Sequence, residues 1–312
     1  METTSPTPEA KEILDPQSVV IITPTFYKTW SMDERTQPDA DIERGDASIS
    51  TFRKATNAGY RTVVVDGGSS KEYLDELQKL GITVLPQKEK GIAAAKRQAL
   101  EAAITLEGSK VILLTQPEKD DVIKDVPDLA NPILNGQADI VIPTREPNLF
   151  KETFPSFQYK SEVWANKWCN RIAHSVNMLP KDVNLDWFFG VKVLKNDPQI
   201  VELFMRKYSI SDLVLAAKKS MDPERYSNVD FFPVLNALTS GKKVIGIEIP
   251  FHYPAGQKRI EEALIDQFMN KRIMQRQSLL GEFVQYARLI TNNPKNQLIQ
   301  IMEQEVQNFQ HK

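Results

Sequence analysis

Cysteine is nearly missing from this chain: Cys169 is the only one in 312 residues. An intrachain disulfide is excluded, and no Cys-x-x-Cys pair or Cys/His cluster is available for zinc. A reducing compartment, the cytoplasm, is the simplest expectation. Charge of one sign is also lacking. Lys plus Arg total 39 against 41 for Asp plus Glu, a formal net charge of -2, so no cationic field invites nucleic acid. No apolar run approaches the roughly 20 residues that span a bilayer. The first residues, polar and acidic, have neither the basic start nor the apolar core of a secretion signal. Histidine is scarce, three in all, and His174 and His311 stand without supporting context. Glycine (13) and proline (19) occur without period, which excludes collagen-like and disordered chains.

What remains is the composition of an ordinary soluble globular protein, 41% hydrophobic and 26% charged. Residues 1–17 read as a flexible lead. Val19-Val20-Ile21-Ile22 is a β-branched run stopped by Thr23-Pro24-Thr25, the pattern of a buried strand ending in a loop. A polar loop is expected from Lys28 to Asp46, then a helix from Ile49 to Ala58 closed by Gly59. The alternation continues with strands at 61–65, 82–85, 111–114 and 138–142, and with helices at 71–80, 91–106 and 126–134. Such alternation predicts a parallel α/β sheet with right-handed crossovers. Ligands in these sheets sit beyond the carboxyl ends of the strands, where Thr23–Thr25, Asp66–Ser70 and Gln116–Asp121 fall. The middle, from about 150 to 226, is aromatic-rich and less regular. A further strand is expected at 242–249, and beyond Gly256 the chain reads as helix, broken at Asn292-Asn293-Pro294.

Four motifs in order resemble the family 2-type glycosyltransferases. Ile21-Ile22-Thr23-Pro24-Thr25-Phe26 is similar to the opening strand and turn of that family. Val63-Val64-Val65-Asp66-Gly67-Gly68-Ser69 resembles its second strand, and Gly91 followed by Lys96-Arg97-Gln98 resembles its Gly-to-Arg stretch. The fourth strand ends where the family carries an acidic metal-binding motif. The resemblance implies a GT-A-like, Rossmann-type, mostly parallel sheet flanked by helices, with a C-terminal helical extension. It divides the chain into a lead (1–17), a catalytic domain (18–255, with a nucleotide-binding half 18–145 and an acceptor half 146–255) and the extension (256–312). It also implies transfer of a sugar from a nucleotide-diphospho-sugar to an acceptor hydroxyl. Mg²⁺ or Mn²⁺ would act as a Lewis acid on the departing diphosphate.

On the resemblance, the donor is held by Pro24, Thr25, Phe26, Asp66, Gly67, Arg97 and Gln116. Asp66 also suits a turn or helix cap, and many relatives carry a second acid where Gly67 stands. Lys96 suits a solvated helix face. The acidic tip admits two alignments. Gln116-Pro117-Glu118 keeps the usual strand length with an amide in first place, whereas Glu118-Lys119-Asp120 supplies two carboxylates. The second is preferred, with Glu118 and Asp120 facing the metal, Lys119 between them arguing for a solvated charge run, and Asp121 left as a cap. His252 is either a third ligand or a packed histidine. Asp230 is the first choice for a general base, or else an N-cap, and Asp186 for positioning a substrate. Trp187 offers a stacking face or is buried. The apolar stripe of the extension must be covered, by the catalytic domain or by a second subunit. Two rival readings are a non-catalytic nucleotide-sugar-binding protein and, ranked low for want of a Gly-rich, Arg-containing first loop, a nucleotidylyltransferase.

Overall fold

The structure, a computed structural model, describes residues 14–33, 39–208, 230–290 and 296–309. Most of the expected lead, the Tyr226–Val229 stretch, the Asn292-Asn293-Pro294 break and His311 lie outside the described residues.

Seven strands form one sheet: β1 (Val19–Thr25), β2 (Arg61–Asp66), β3 (Thr83–Pro86), β4 (Val111–Leu114), β5 (Ile140–Arg145), β6 (Lys192–Lys195) and β7 (Val244–Ile249). Their spatial order is β3-β2-β1-β4-β6-β5-β7. All pairings are parallel except those of β6, which runs against β4 and β5. The β-branched strands bury both faces: Val20 and Ile22 point to one layer, Val19 and Ile21 to the other, and all four have no exposed surface. Each such side chain contributes about 1.5–3 kcal/mol.

Eleven helices are seen among the described residues: α1 (Ala40–Asn57), α2 (Lys71–Lys79), α3 (Ile92–Ile104), α4 (Val126–Leu134), α5 (Pro147–Thr153), α6 (Ser156–Ser175), α7 (Pro198–Met205), α8 (Phe232–Thr239), α9 (Ala255–Ala263), α10 (Ile265–Ile290) and α11 (Gln297–Phe309). Helices α3, α6, α8, α10 and α11 share one core cluster with the sheet. The stripe of the C-terminal extension is thus partly covered within the chain, by burial of Leu279, Leu280, Phe283 and Val284.

Three elements correct the sequence reading. Helix α1 starts at Ala40, not Ile49, capped by the Asp39 carboxylate on the Asp41 amide at 2.7 Å. Its first turns carry Asp41, Glu43, Arg44 and Asp46, a polar run that hides a buried face of Ile42 and Gly45. Gly45 lets Trp30 pack against the helix, since a Cβ there would lie 2.3 Å from the indole. The second correction is α6. Its second half buries Ala165, Cys169, Ile172 and Ala173 at helical spacing, but Gln158, Glu162 and Asn170, spaced by four or eight, are buried too and are polar, so the apolar pattern marks only part of the helix. The third is β6, four residues bounded by lysines.

Registry decides where the site falls. Thr25 is level with Asp66, and Ile22 with Leu114. Because β6 is antiparallel, its first residue, Lys192, lies opposite Leu114 at the same sheet edge. That edge therefore gathers Thr25, Asp66, Gln116, Arg145, Lys192 and the Pro250–Tyr253 tail. The order reverses between β1 and β4, the switch point at which an open α/β sheet leaves a crevice.

Candidate functional site

At the β1–β2 tips, the Asp66 carboxylate builds the turn. Its Oδ1 accepts from Thr25 Oγ1 at 2.8 Å and Ser69 Oγ at 2.5 Å, and its Oδ2 from the amides of Gly68 and Ser69 at 2.8 and 2.9 Å. Gly68 holds φ +110°, a conformation that side chains resist. Gly67 sits close to two side chains, since a Cβ would meet the end of Gln87 at 2.8 Å and Phe26 at 3.2 Å. Phe26 is left 52% exposed beside this turn, with the Lys28 ammonium 5.3 Å from its ring centre. Pro24 is half-buried within β1.

Helix α3 brings Lys96 and Arg97 to the same edge, and both are buried. The solvated face expected for Lys96 is corrected: its ammonium donates to Asp230 Oδ1 at 2.7 Å. Asp230 borders the cleft just ahead of α8. Beside this pair stands Lys192, 1% exposed, whose Nζ has no hydrogen-bond partner among the described residues. Burial pushes its amine down to about 8, with Lys96 adding to the shift and Asp230 opposing it.

The three expected metal ligands do not converge. Glu118 is buried, accepts from the Tyr27 hydroxyl at 2.9 Å and pairs with Arg44 of α1. Burial pushes its carboxyl up, but Arg44 and Tyr27 together outweigh that and hold it below the usual range. Asp120 turns to α1 instead, accepting from Ser50 at 2.9 Å and Lys54 at 2.6 Å. His252 is exposed and rests on Asp121, through its backbone amide at 2.7 Å and its Nδ1 at 3.0 Å. Asp121, read as a cap, thus ties the β7 tail to the loop after β4. Among the described residues no group of three or more His, Cys, Asp or Glu is placed to hold a metal ion. This donor set does not fit a divalent cation.

Asp186 is equally committed. Arg145 grips it with two bonds, Nε at 2.6 Å and Nη2 at 2.8 Å, and Asn166 of α6 adds a third at 2.7 Å. Burial raises the Asp186 carboxyl and Arg145 more than compensates, leaving it below the usual range. Arg145 also donates to Glu162 at 2.7 Å, and its guanidinium lies 3.7 Å from the centre of the Phe150 ring. The α6 polar stripe therefore stitches down the 184–190 loop. Asn170 takes the Leu185 amide and the Trp187 indole N–H, both at 3.0 Å. Trp187 is packed against Phe231 and Phe283, with only an edge on the cleft.

Two lobes share Gln116, Gln158, Phe188 and Arg272 and form one cleft. The first carries Asp230, Trp187 and Ser161. The second is lined by Glu118, Lys119, Arg145 and Tyr253. Gln116, the amide in the strand-tip position, lies between them over Gly190. That glycine has φ +81°, and a Cβ on it would fall 2.9 Å from Gln116 Nε2. Lys119 is buried, not solvated, with Nζ 4.3 Å from the Phe189 ring centre and 5.3 Å from that of Phe251. Sequence reasoning missed Arg145, Glu162, Arg272, Lys192 and the role of Arg44. The one available signal was the four-residue spacing of polar side chains along α6.

No protein-family model matches the chain, and neither does any curated protein sequence. Solved structures do match. The glucosyl-3-phosphoglycerate synthase of Mycobacterium tuberculosis, in complex with Mn²⁺, UDP and glucosyl-3-phosphoglycerate, superposes with a TM-score of 0.50 at 10% identity, over 85% of this chain and 80% of that one. The same enzyme with UDP alone gives 0.50 at 10% identity, over 86% and 80%. A likeness at that identity establishes the architecture: the chain has a GT-A glycosyltransferase fold, a mostly parallel mixed sheet flanked by helices.

Proposed function

We propose that the chain is a glycosyltransferase that moves a sugar, a hexose by preference, from a nucleotide-diphospho-sugar to an acceptor hydroxyl. The observation that carries this reading is the cleft beyond the ends of β4, β5 and β7, which joins a carboxylate, Asp230, to an amide- and cation-lined lobe around Gln116. The similar solved structures hold UDP, so UDP-hexoses are the first donors to test. The donor's base lies along Pro24, Thr25, Phe26 and Gly67, with Asp66 shaping that turn from within, and Arg97 stands on the diphosphate side.

Transfer is written as a single displacement. The acceptor oxygen bonds to the anomeric carbon as the bond from that carbon to the diphosphate breaks, its electron pair leaving on phosphate oxygen. The acceptor proton passes to Asp230 Oδ2, the oxygen that Lys96 does not occupy. Asp186 acts at one remove, by fixing the loop that presents Trp187 and Phe188. The acceptor is a small molecule or protein reached from solution, and no described helix is long and apolar enough to cross a membrane. The exposed Leu264, Ile265 and Met269 of the extension are where a second copy would dock.

The failure of Glu118, Asp120 and His252 to converge favours one rival, a protein that binds nucleotide sugars without turnover. A thermal-shift panel of nucleotide sugars, with and without Mn²⁺, tests both readings. A donor at 100 times its Kd stabilises the fold by about 2.7 kcal/mol. The transferase reading expects one donor class to raise the Tm and to release nucleoside diphosphate on incubation. Binding with no release across acceptors selects the rival, and no Tm shift with any donor contradicts both.

A further inference from the structure

We propose that the Lys119 ammonium supplies, at the departing diphosphate of a nucleotide sugar, the positive charge that the sequence pattern assigned to a divalent cation. The inference rests on the transferase reading above, and it starts from the disagreement between the expected ligands and their observed partners. Glu118 is taken by Arg44 and Tyr27, Asp120 by Ser50 and Lys54, and His252 by Asp121. Withdrawing Glu118 to a metal would take from Arg44 its carboxylate partner.

Lys119 immediately follows Glu118, borders the cleft with Gln116, and is only 8% exposed. Among the described residues its ammonium meets no hydrogen-bond acceptor; two ring faces, Phe189 and Phe251, are its contacts. A buried charge without an acceptor is costly, and burial together with the neighbouring Arg145 pushes the Lys119 amine down to about 7; ring faces recover part of that cost. The other cations of this lobe are engaged. Arg145 is bonded to Asp186 and Glu162, and Arg272 lies 3.9 Å from both Glu162 and Glu261. Lys119 is thus the cleft cation left to an incoming anion. Gln116 fits the same chemistry. An aspartate at that strand tip needs a metal between itself and a phosphate, whereas an amide N–H donates to phosphate oxygen directly. The ligand recognised is a nucleoside diphosphate, held by a compact ammonium and an amide. When the sugar departs, the electron pair left on the phosphate oxygen is stabilised by Lys119.

The test is titration calorimetry of UDP, GDP, ADP and inorganic pyrophosphate into the full chain, in excess EDTA and again with Mn²⁺. At least one nucleoside diphosphate is expected to bind in EDTA, with little gain from Mn²⁺. Lys119→Met is expected to weaken that binding by about ten- to a hundredfold, the worth of a hydrogen bond to a charged group, and Lys119→Arg to retain most of it. Lys119→Met removes an uncompensated charge and is expected to melt no lower than wild type; Lys119→Gln replaces it if it does not fold. Binding seen only with Mn²⁺ overturns the inference and leaves the transferase reading standing. Unchanged binding by Lys119→Met overturns the inference as well. Binding of no nucleoside diphosphate in either condition overturns both.

Discussion

At the inner end of β6 the Lys192 amine is enclosed by Lys96 from α3, Asp230 ahead of α8 and Asp186 from the preceding loop, with no hydrogen bond of its own. Its folded pKa, about 8, lies below the ordinary lysine value of 10.5. The unfolded chain therefore binds more protons than the folded one between those values. Stability is lowest below pH 8 and rises as pH climbs from about 8 towards 10.5. The displacement corresponds to a penalty of up to about 3 kcal/mol at pH 7. Lys192→Met is accordingly expected to raise the urea midpoint at pH 7 and to flatten its rise between pH 8 and 10. A variant less stable than wild type at pH 7 would show that the amine is compensated. Asp66 makes a different point at this scale. Its motif was legible in the sequence, but its four internal hydrogen bonds show that the carboxylate's first task is the turn itself.

Among elements, α1 ties the loop after β4 to the β1–β2 side of the sheet. Arg44, on its second turn, reaches Glu118 after β4, while Ser50 and Lys54 reach Asp120. Removing one partner of a buried ion pair strands the other, typically at 3–5 kcal/mol, whereas replacing both is far milder. Glu118 is buried but Arg44 is more than a third exposed, so solvent screens the pair and Arg44→Met is expected to cost less, about 1–2 kcal/mol in chemical denaturation, with the double variant Arg44→Met, Glu118→Gln recovering more than half of it. Additive losses would contradict the coupling. The depressed Glu118 carboxyl contributes stability above its unfolded pKa that is lost as pH falls through the folded one. In Arg44→Met that acid-side loss is expected to begin at higher pH. The helix shows why such contacts escape a sequence reading. Its N-terminal turns carry charge on positions that face the protein, so they resemble a loop. Helix α6 hides in part: Ala165, Cys169, Ile172 and Ala173 mark one buried face, while Gln158, Glu162, Asn166 and Asn170 form a polar one that meets Arg272, Arg145 and the 184–190 loop.

For the whole molecule, the parallel strands and their helices were readable because β-branched runs such as Val19–Ile22 and Val63–Val65 must be buried on both faces. Their polar tips fall together at one sheet edge, as the alternation implied. The order and direction of β6 were not readable: pairing between residues 111–114 and 192–195 is a tertiary fact with no local signature. The site was legible in outline only. Gln116 and Asp230 do border the cleft, yet the acids chosen for metal binding serve as ion-pair partners, and two of the cations that line the lobe, Arg145 and Arg272, came from positions the motif comparison passes over. Residue type and spacing identify which groups could gather; the partners that compete for them are set by packing.

The central claim is that Asp230 and the Gln116 lobe work together on a nucleotide sugar. Its most direct measurement is the rate of nucleoside diphosphate release from a stabilising donor by wild type and by Asp230→Asn, with donor affinity measured in parallel. Loss of a positioned base costs about 10²–10⁴ in rate, so release is expected to fall by at least a hundredfold while donor affinity stays within about threefold. Equal rates in the two proteins would contradict the account.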